Sequence, residues 1–311
     1  MLFVNEIMII APIAAIIVLG KIIAGMGAVS PLTFRETNKI LYWISIPAML
    51  LRLTAQADLG SSGNLNLLLS VHATYFILPF IAWCAGKLAG EERGRLSISA
   101  LVSMRSNQVF MGLPAVSIAL GDPGLRALSL FLAMSQVGYH ILSVSSSQLV
   151  LSGRLSSRSV MDTFLKLLKN PLILACIAGL ACSWSGLDQF PHWLDVTLKV
   201  LGDMGTGLAL LSLGAGIDLS SLRGLLGATW RDCAIKLIVN PAVAYLLFIA
   251  LPVENTMMQV VVLTSAMPVA VNSLAVAQGM GMDEKYAGEV ITASTILSAL
   301  TLPLWLRIIN V

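Results

Sequence analysis

Apolar stretches of bilayer-spanning length follow one another along almost the whole chain, and that feature confines what it can fold into. A helix needs about 20 consecutive apolar residues to cross the hydrocarbon core of a bilayer. A sliding window of about 19 residues finds ten stretches, at 6–26, 38–56, 65–87, 96–120, 124–150, 167–184, 197–217, 231–251, 257–280 and 286–308. Ten spans with short connections use up the 311 residues, so no length remains for a soluble catalytic domain. The expected class is an all-α integral membrane protein. Composition agrees, since 11% of residues are charged where a soluble domain has about 25%.

The remaining charges exclude some partners and orient the chain. A net charge of +3, with no basic run interleaved with aromatics, argues against nucleic acid. Cytoplasmic loops carry the excess of Lys and Arg. The loops after spans 1, 3, 5, 7 and 9 hold thirteen: Lys21, Arg35, Lys39, Lys87, Arg93, Arg95, Arg154, Arg158, Lys166, Lys169, Arg223, Arg231 and Lys285. The other side holds four, Arg52, Arg126, Lys199 and Arg307. Both termini should therefore lie outside a plasma or inner membrane, as expected of a multi-pass protein in the lipid bilayer. The first stretch has no basic leader and no small-residue cleavage site, so it reads as a retained span. Cys84, Cys176, Cys182 and Cys233 sit in apolar stretches without a CxxC pair, which argues against zinc, redox chemistry or disulfides. No cofactor and no metal site is expected.

The longest interior connection, the polar and basic run 152–170, falls at the middle of the chain. It divides residues 1–151 from 171–311, five spans each. An odd number of crossings per half forces the second half to insert upside down, the inverted repeat of many secondary transporters. Pro114 in span 4 and Pro268 in span 9 are 154 residues apart, each near mid-span. An offset of 160 also matches Ala115, Val116 and Gly121 with Ala275, Val276 and Gly281.

Proline removes an amide donor and crowds the carbonyl four residues earlier, so spans 4 and 9 should break. Irregular backbone at membrane depth survives only where it lines a cavity or is buried in protein. A cavity between spans 4 and 9 is the expectation, with the restarted half-helices pointing free amides and a positive dipole end at an anion. A plain proline kink is the competing explanation.

Arg105, nine residues before Pro114, is the sharpest single residue, because arginine near a helix centre costs about 2.5–3.5 kcal/mol even on the lenient insertion scale. Either it is a counter-charge for an anionic substrate, or it pairs structurally with Asp203 or Glu289. Asn107, Gln108 and Asn272 add neutral amides that both donate and accept. Lys236, near the cytoplasmic start of span 8, is expected to snorkel. His72 and His140 stand alone and read as satisfied core residues. Small-residue runs, "GKIIAGMGA" in span 1, "GLPAVSIALG" in span 4 and "GTGLALLSLGAG" in span 7, permit close helix approach.

These residues suggest a family. "APIAAIIVLGKIIAGMGAVS", "LYWISIPAMLLRLTAQADL", "RSNQVFMGLPAVSIALGD", "LALLSLGAGIDL" and "TSAMPVAVNSLAVAQGMGMDEKYAGEVITASTILSALTLPLW" together resemble the auxin efflux carrier family in its bacterial branch, over nearly the whole chain. The resemblance implies ten transmembrane helices as a 5+5 inverted repeat, like that of bile acid and sodium symporters, with broken helices 4 and 9 crossing at the substrate site. It also implies a scaffold and homodimer surface from spans 1, 2, 6 and 7, and a moving core from spans 3–5 and 8–10. Asn107, Pro114 and Pro268 match family positions, and the site residues expected are Arg105, Asn107, Gln108, Gly112, Pro114, Pro268 and Asn272. The central loop lacks the length of plant members. By analogy with bacterial relatives, the substrate is a small organic anion such as malonate or another carboxylate.

The function expected is thus alternating-access transport of a small organic anion. A coupling proton or sodium ion stays open, and sodium symport is one alternative, although span 9 has no carboxylate to hold the ion. A membrane sensor that binds without translocating is another. An intramembrane enzyme is disfavoured by the absence of HExxH, GxSxG and aspartate-rich motifs.

Overall fold

The computed structural model describes residues 4–56, 64–153, 161, 165, 168–169, 171–187, 189–216 and 222–311. The central connection 152–170, with Arg154, Arg158 and Lys166, lies mostly outside these. Among the described residues the secondary structure is helical, apart from one isolated bridge between Ser106 and Val269. Five helices are long and apolar enough to cross a membrane, within Leu65–Leu88, Gln108–Ser152, His192–Ala215, Leu225–Ala250 and Glu284–Ile308; Ala11–Gly25 and Pro171–Trp184 are shorter apolar helices. Large apolar side chains such as Phe76, Phe80, Leu246 and Leu300 face outward, as lipid-facing residues do.

Proline explains the irregular turns. The helix α2 (Pro31–Ile40) continues through a π-helical turn, Leu41–Ser45, into α3 (Ile46–Ala55). Two further π-helical turns occur, Gln108–Gly112 and Ile235–Val239. Each ends two residues before a proline, Pro47, Pro114 or Pro241. The wider turn accommodates a residue that cannot bond the carbonyl four back and whose ring would crowd it. Pro114 therefore sits in the first turn of a helix and does not itself break one, because the π turn absorbs the misfit.

The helices form two packed groups. In one, α1 (Val4–Gly25) packs on α8 (His192–Ala215), and α3 packs on α7 (Pro171–Trp184) and on α8. A Cβ on Gly20 would overlap the carbonyl oxygen of Leu211, and one on Gly214 that of Ile17, so the small-residue runs let these backbones touch. Arg52 of α3 grips Asp195 of α8 with two hydrogen bonds, 2.6 and 3.0 Å.

The other group contains α4 (Asn64–Leu88), α5 (Arg93–Met104), α6 (Leu113–Ser152), α9 (Leu222–Ala234), α10 (Asn240–Ala250), α11 (Asn255–Ser265), α12 (Ser273–Gly279) and α13 (Glu284–Ile308). Within α6, Gly121 takes φ 60° and ψ −151°, a conformation open to glycine, and the helix turns there. Asp232, 1% exposed, accepts from Ser99 Oγ, Tyr286 Oη and Arg231 Nε, tying α5, α9 and α13 together. All four cysteines are free.

Candidate functional site

The backbone leaves the helix twice, at Arg105–Asn107 after α5 and at 266–272 between α11 and α12. The two interruptions pair with each other. Asn107 N donates to Pro268 O and Ala270 N to Arg105 O, both at 2.8 Å, on either side of the antiparallel Ser106–Val269 bridge. Val269 N, which has no place in that pair, donates to Ser294 Oγ of α13 at 3.1 Å. Buried amides and carbonyls are thus satisfied where helix is absent, as an apolar surrounding demands.

Several of the amides at the helix restarts are taken. Gln108 N reaches Ser106 O, Phe110 N reaches Asn107 Oδ1, and Gly112 N reaches Asn107 O. Ser273 N and Leu274 N bond Ala270 O and Val271 O. Fewer amides are thus open to an anion than the restarts alone would offer, because a low-dielectric site leaves little room for unpaired donors.

Arg105 is fully buried, and its guanidinium is spread over neutral partners. Nε donates to Ser273 Oγ, Nη1 to Ser143 Oγ and Nη2 to Asn272 Oδ1, each at 3.0 Å, and the group lies 5.0 Å from the Tyr139 ring centroid. The expected carboxylate partners are elsewhere. Asp203 is exposed and pairs with Lys199 in the preceding turn of α8, and Glu289 is not among the groups bonded to Arg105. Among the described residues no carboxylate bridges to Arg105, so its charge is solvated by dipoles alone.

Asn272 links Arg105 to an exposed position. Its Oδ1 must face the guanidinium, which has only donors, and its NH2 is left to face outward from an exposed position. There it lines a pocket of about 500 Å³, whose other wall comes from α1, α2 and α8. Phe110, Val271, Thr292 and Thr295 stand with Asn272; Asn38 and Ser212 stand opposite. Among the described residues, Asn38 Oδ1 and Ser212 Oγ have no hydrogen-bond partner. Phe110, Val271 and Asn272 place the pocket at the edge of the two paired interruptions.

The other expected site residues gather around the bridge. Asn107, 3% exposed, leaves its Nδ2 without a hydrogen-bond partner among the described residues. Gln108 Oε1 accepts from Gln136 Nε2 at 3.3 Å. A Cβ on Gly112 would stand 3.3 Å from Asn107 O and from a Thr264 methyl, so the glycine lets the two interrupted segments meet closely. Pro114 and Pro268 are buried in these segments. His72 is satisfied by its own helix, with Nδ1 2.8 Å from Leu68 O.

Lys236 departs from expectation. It does not snorkel, being 0% exposed, with Nζ 2.7 Å from Ser265 O at the end of α11. Sequence reasoning also missed Ser143, Ser273, Asn38 and Ser212. Isolated serines and asparagines in apolar stretches carry no periodic signal, whereas Lys236 was visible but assigned to the wrong environment.

The sequence model of the family described as membrane transport protein matches residues 6–306. An uncharacterized transporter of Methanothermobacter thermautotrophicus is 23% identical, over 98% of this chain and 99% of its own. An uncharacterized transporter of Methanocaldococcus jannaschii is 25% identical, over 86% of this chain and 87% of its own.

Proposed function

The chain belongs to the membrane transport protein family, and from that premise we propose that it is a secondary carrier of small organic anions, carboxylates such as malonate, working by alternating access. The observation that carries this is the fully buried Arg105, spread over neutral dipoles and joined through Asn272 to an open pocket. A buried cation without a counter-ion is expensive. A carboxylate accepting from the Asn272 amide would supply the missing charge. The pocket volume lies in the range of small-molecule sites, about 300–1,000 Å³.

The ten-span, 5+5 inverted-repeat reading is supported by the order of elements. Helical segments occupy all ten apolar stretches. The two interruptions pair with each other at a separation of 163 residues. In that numbering span 1 packs on span 7 and span 2 on span 6, the exchange that a two-fold axis in the membrane plane requires. The pocket then separates the group of spans 1, 2, 6 and 7 from the interrupted helices, so sliding one group past the other would move the site.

The pocket lining includes Ala24 at the end of α1, Phe34 in the first turn of α2, and Ala215 and Gly216 at the end of α8. With the basic loops in the cytoplasm, this is an inward-open state in a plasma or inner membrane. The test is uptake by liposomes reconstituted with the protein, offered labelled malonate, succinate, lactate and an indole carboxylate. Saturable, mutually competitive uptake of the small carboxylates is expected. Tight vesicles with folded protein that take up none of them would overturn the assignment.

A further inference from the structure

In carriers built on interrupted helices, a coupling cation is held by unwound carbonyls and by the C-terminal ends of half-helices, where the helix dipole is negative. Two such ends meet here. α5 stops at Met104 and α11 at Ser265. Both are already covered from one helix face. Lys236 Nζ donates to Ser265 O at 2.7 Å, and Asn240 Nδ2 donates to Ser103 O at 2.9 Å. Ser265 O also accepts from Ser106 Oγ at 3.4 Å, so that carbonyl has little capacity left.

Lys236 and Asn240 lie four residues apart across the π-helical turn Ile235–Val239, and they are 0% and 2% exposed. Neither interrupted segment offers a carboxylate, since residues 96–121 and 255–280 contain no Asp or Glu. A sodium ion needs several oxygen ligands, and here it would meet carbonyls in use and an ammonium at contact distance.

We infer that Lys236 is a built-in cation occupying the place of a coupling ion, with Asn240 covering the second helix end, so that the transport cycle runs without sodium. The inference deepens the proposed carrier function and rests on it for the meaning of the crossing. It makes Lys236 a positioning residue: its ammonium neutralises the end of α11 and so holds the interruption that carries Asn272. Its position also explains why a lysine is tolerated at full burial with no acidic partner among the described residues.

The test compares the purified full-length protein in sodium chloride and in choline chloride at equal ionic strength, as wild type, Lys236→Arg and Lys236→Ala. Wild type and Lys236→Arg should melt at the same temperature in both salts. Lys236→Ala should melt lower in choline and recover by about 3 °C when sodium is about ten times its dissociation constant for the vacated site. A merely structural lysine would lower the melt without creating a sodium response, and a folded Lys236→Ala protein insensitive to sodium overturns the inference. So does sodium stabilisation of wild type, or binding of radioactive sodium to it. If the alanine variant does not fold, Lys236→Met, which keeps the length of the side chain without its charge, is read in its place. These arms use no substrate, so failure to transport carboxylates would sink the proposed function separately. Where uptake occurs, wild-type rates should be equal in the two salts.

Discussion

Replacing Arg105 with alanine separates its structural from its functional contribution. The change removes three hydrogen bonds from a charged donor, each worth about 1.5–3 kcal/mol. It also relieves an unpaired buried guanidinium of about 2.5–3.5 kcal/mol of insertion cost. The net destabilisation is therefore about 1–6 kcal/mol, well short of the gross sum. The effect on substrate is different, because nothing offsets it. A carboxylate accepting from the Asn272 amide would sit about 7 Å from the guanidinium, where the attraction at an effective dielectric of about 20 is about 2.4 kcal/mol. That corresponds to about 60-fold in Kd. Substrate-dependent thermal stabilisation and the KM for uptake both read it. Arg105→Lys keeps the charge but not the planar fork, so it should recover most of the affinity and less of the stability. A folded Arg105→Ala protein whose malonate affinity stays within about threefold of wild type would refute the reasoning that charge reaches the pocket through Asn272.

Asn272→Asp places a carboxylate against Arg105; the pair should close on itself, and carboxylate uptake should fall by at least about tenfold while the melt is unchanged or higher. Gly214→Val forces a branched side chain into the Ile17 carbonyl; α1 should be pushed off α8, lowering stability by about 1–3 kcal/mol or more, as thermal unfolding in detergent reports. Asp232→Ala removes the acceptor shared by Ser99, Tyr286 and Arg231, while Arg231 keeps Glu91 and Tyr286 keeps Ala228 O; a loss of about 1–3 kcal/mol is expected, read as a melt lower than that of Asp232→Asn, which keeps two acceptor sites.

Some of this molecule is written in its sequence, and the reason is that transfer into a bilayer is a local free energy. Each apolar stretch is assigned by its own composition, so the helical class and the transport character of the family were legible without any contact. Arg105 was legible for the same reason, since an arginine in an apolar stretch is conspicuous wherever the chain goes. Proline marked irregularity at Pro114 and Pro268 but did not fix it in general: π turns also precede Pro47 and Pro241, while Pro79 and Pro303 lie inside continuous helices.

Only the tertiary structure decided the partners. Ser143 and Ser273 lie 38 and 168 residues from Arg105 and look like any other serine. Lys236 sits where hydropathy allows it to reach an interface, yet the end of α11, 29 residues away, supplies a carbonyl that holds it inside. Hydropathy weighs each residue against an average medium. Whether a charge meets lipid, water or the negative end of another helix is set by long-range packing, which brings two interrupted segments together and leaves a pocket on one side of them.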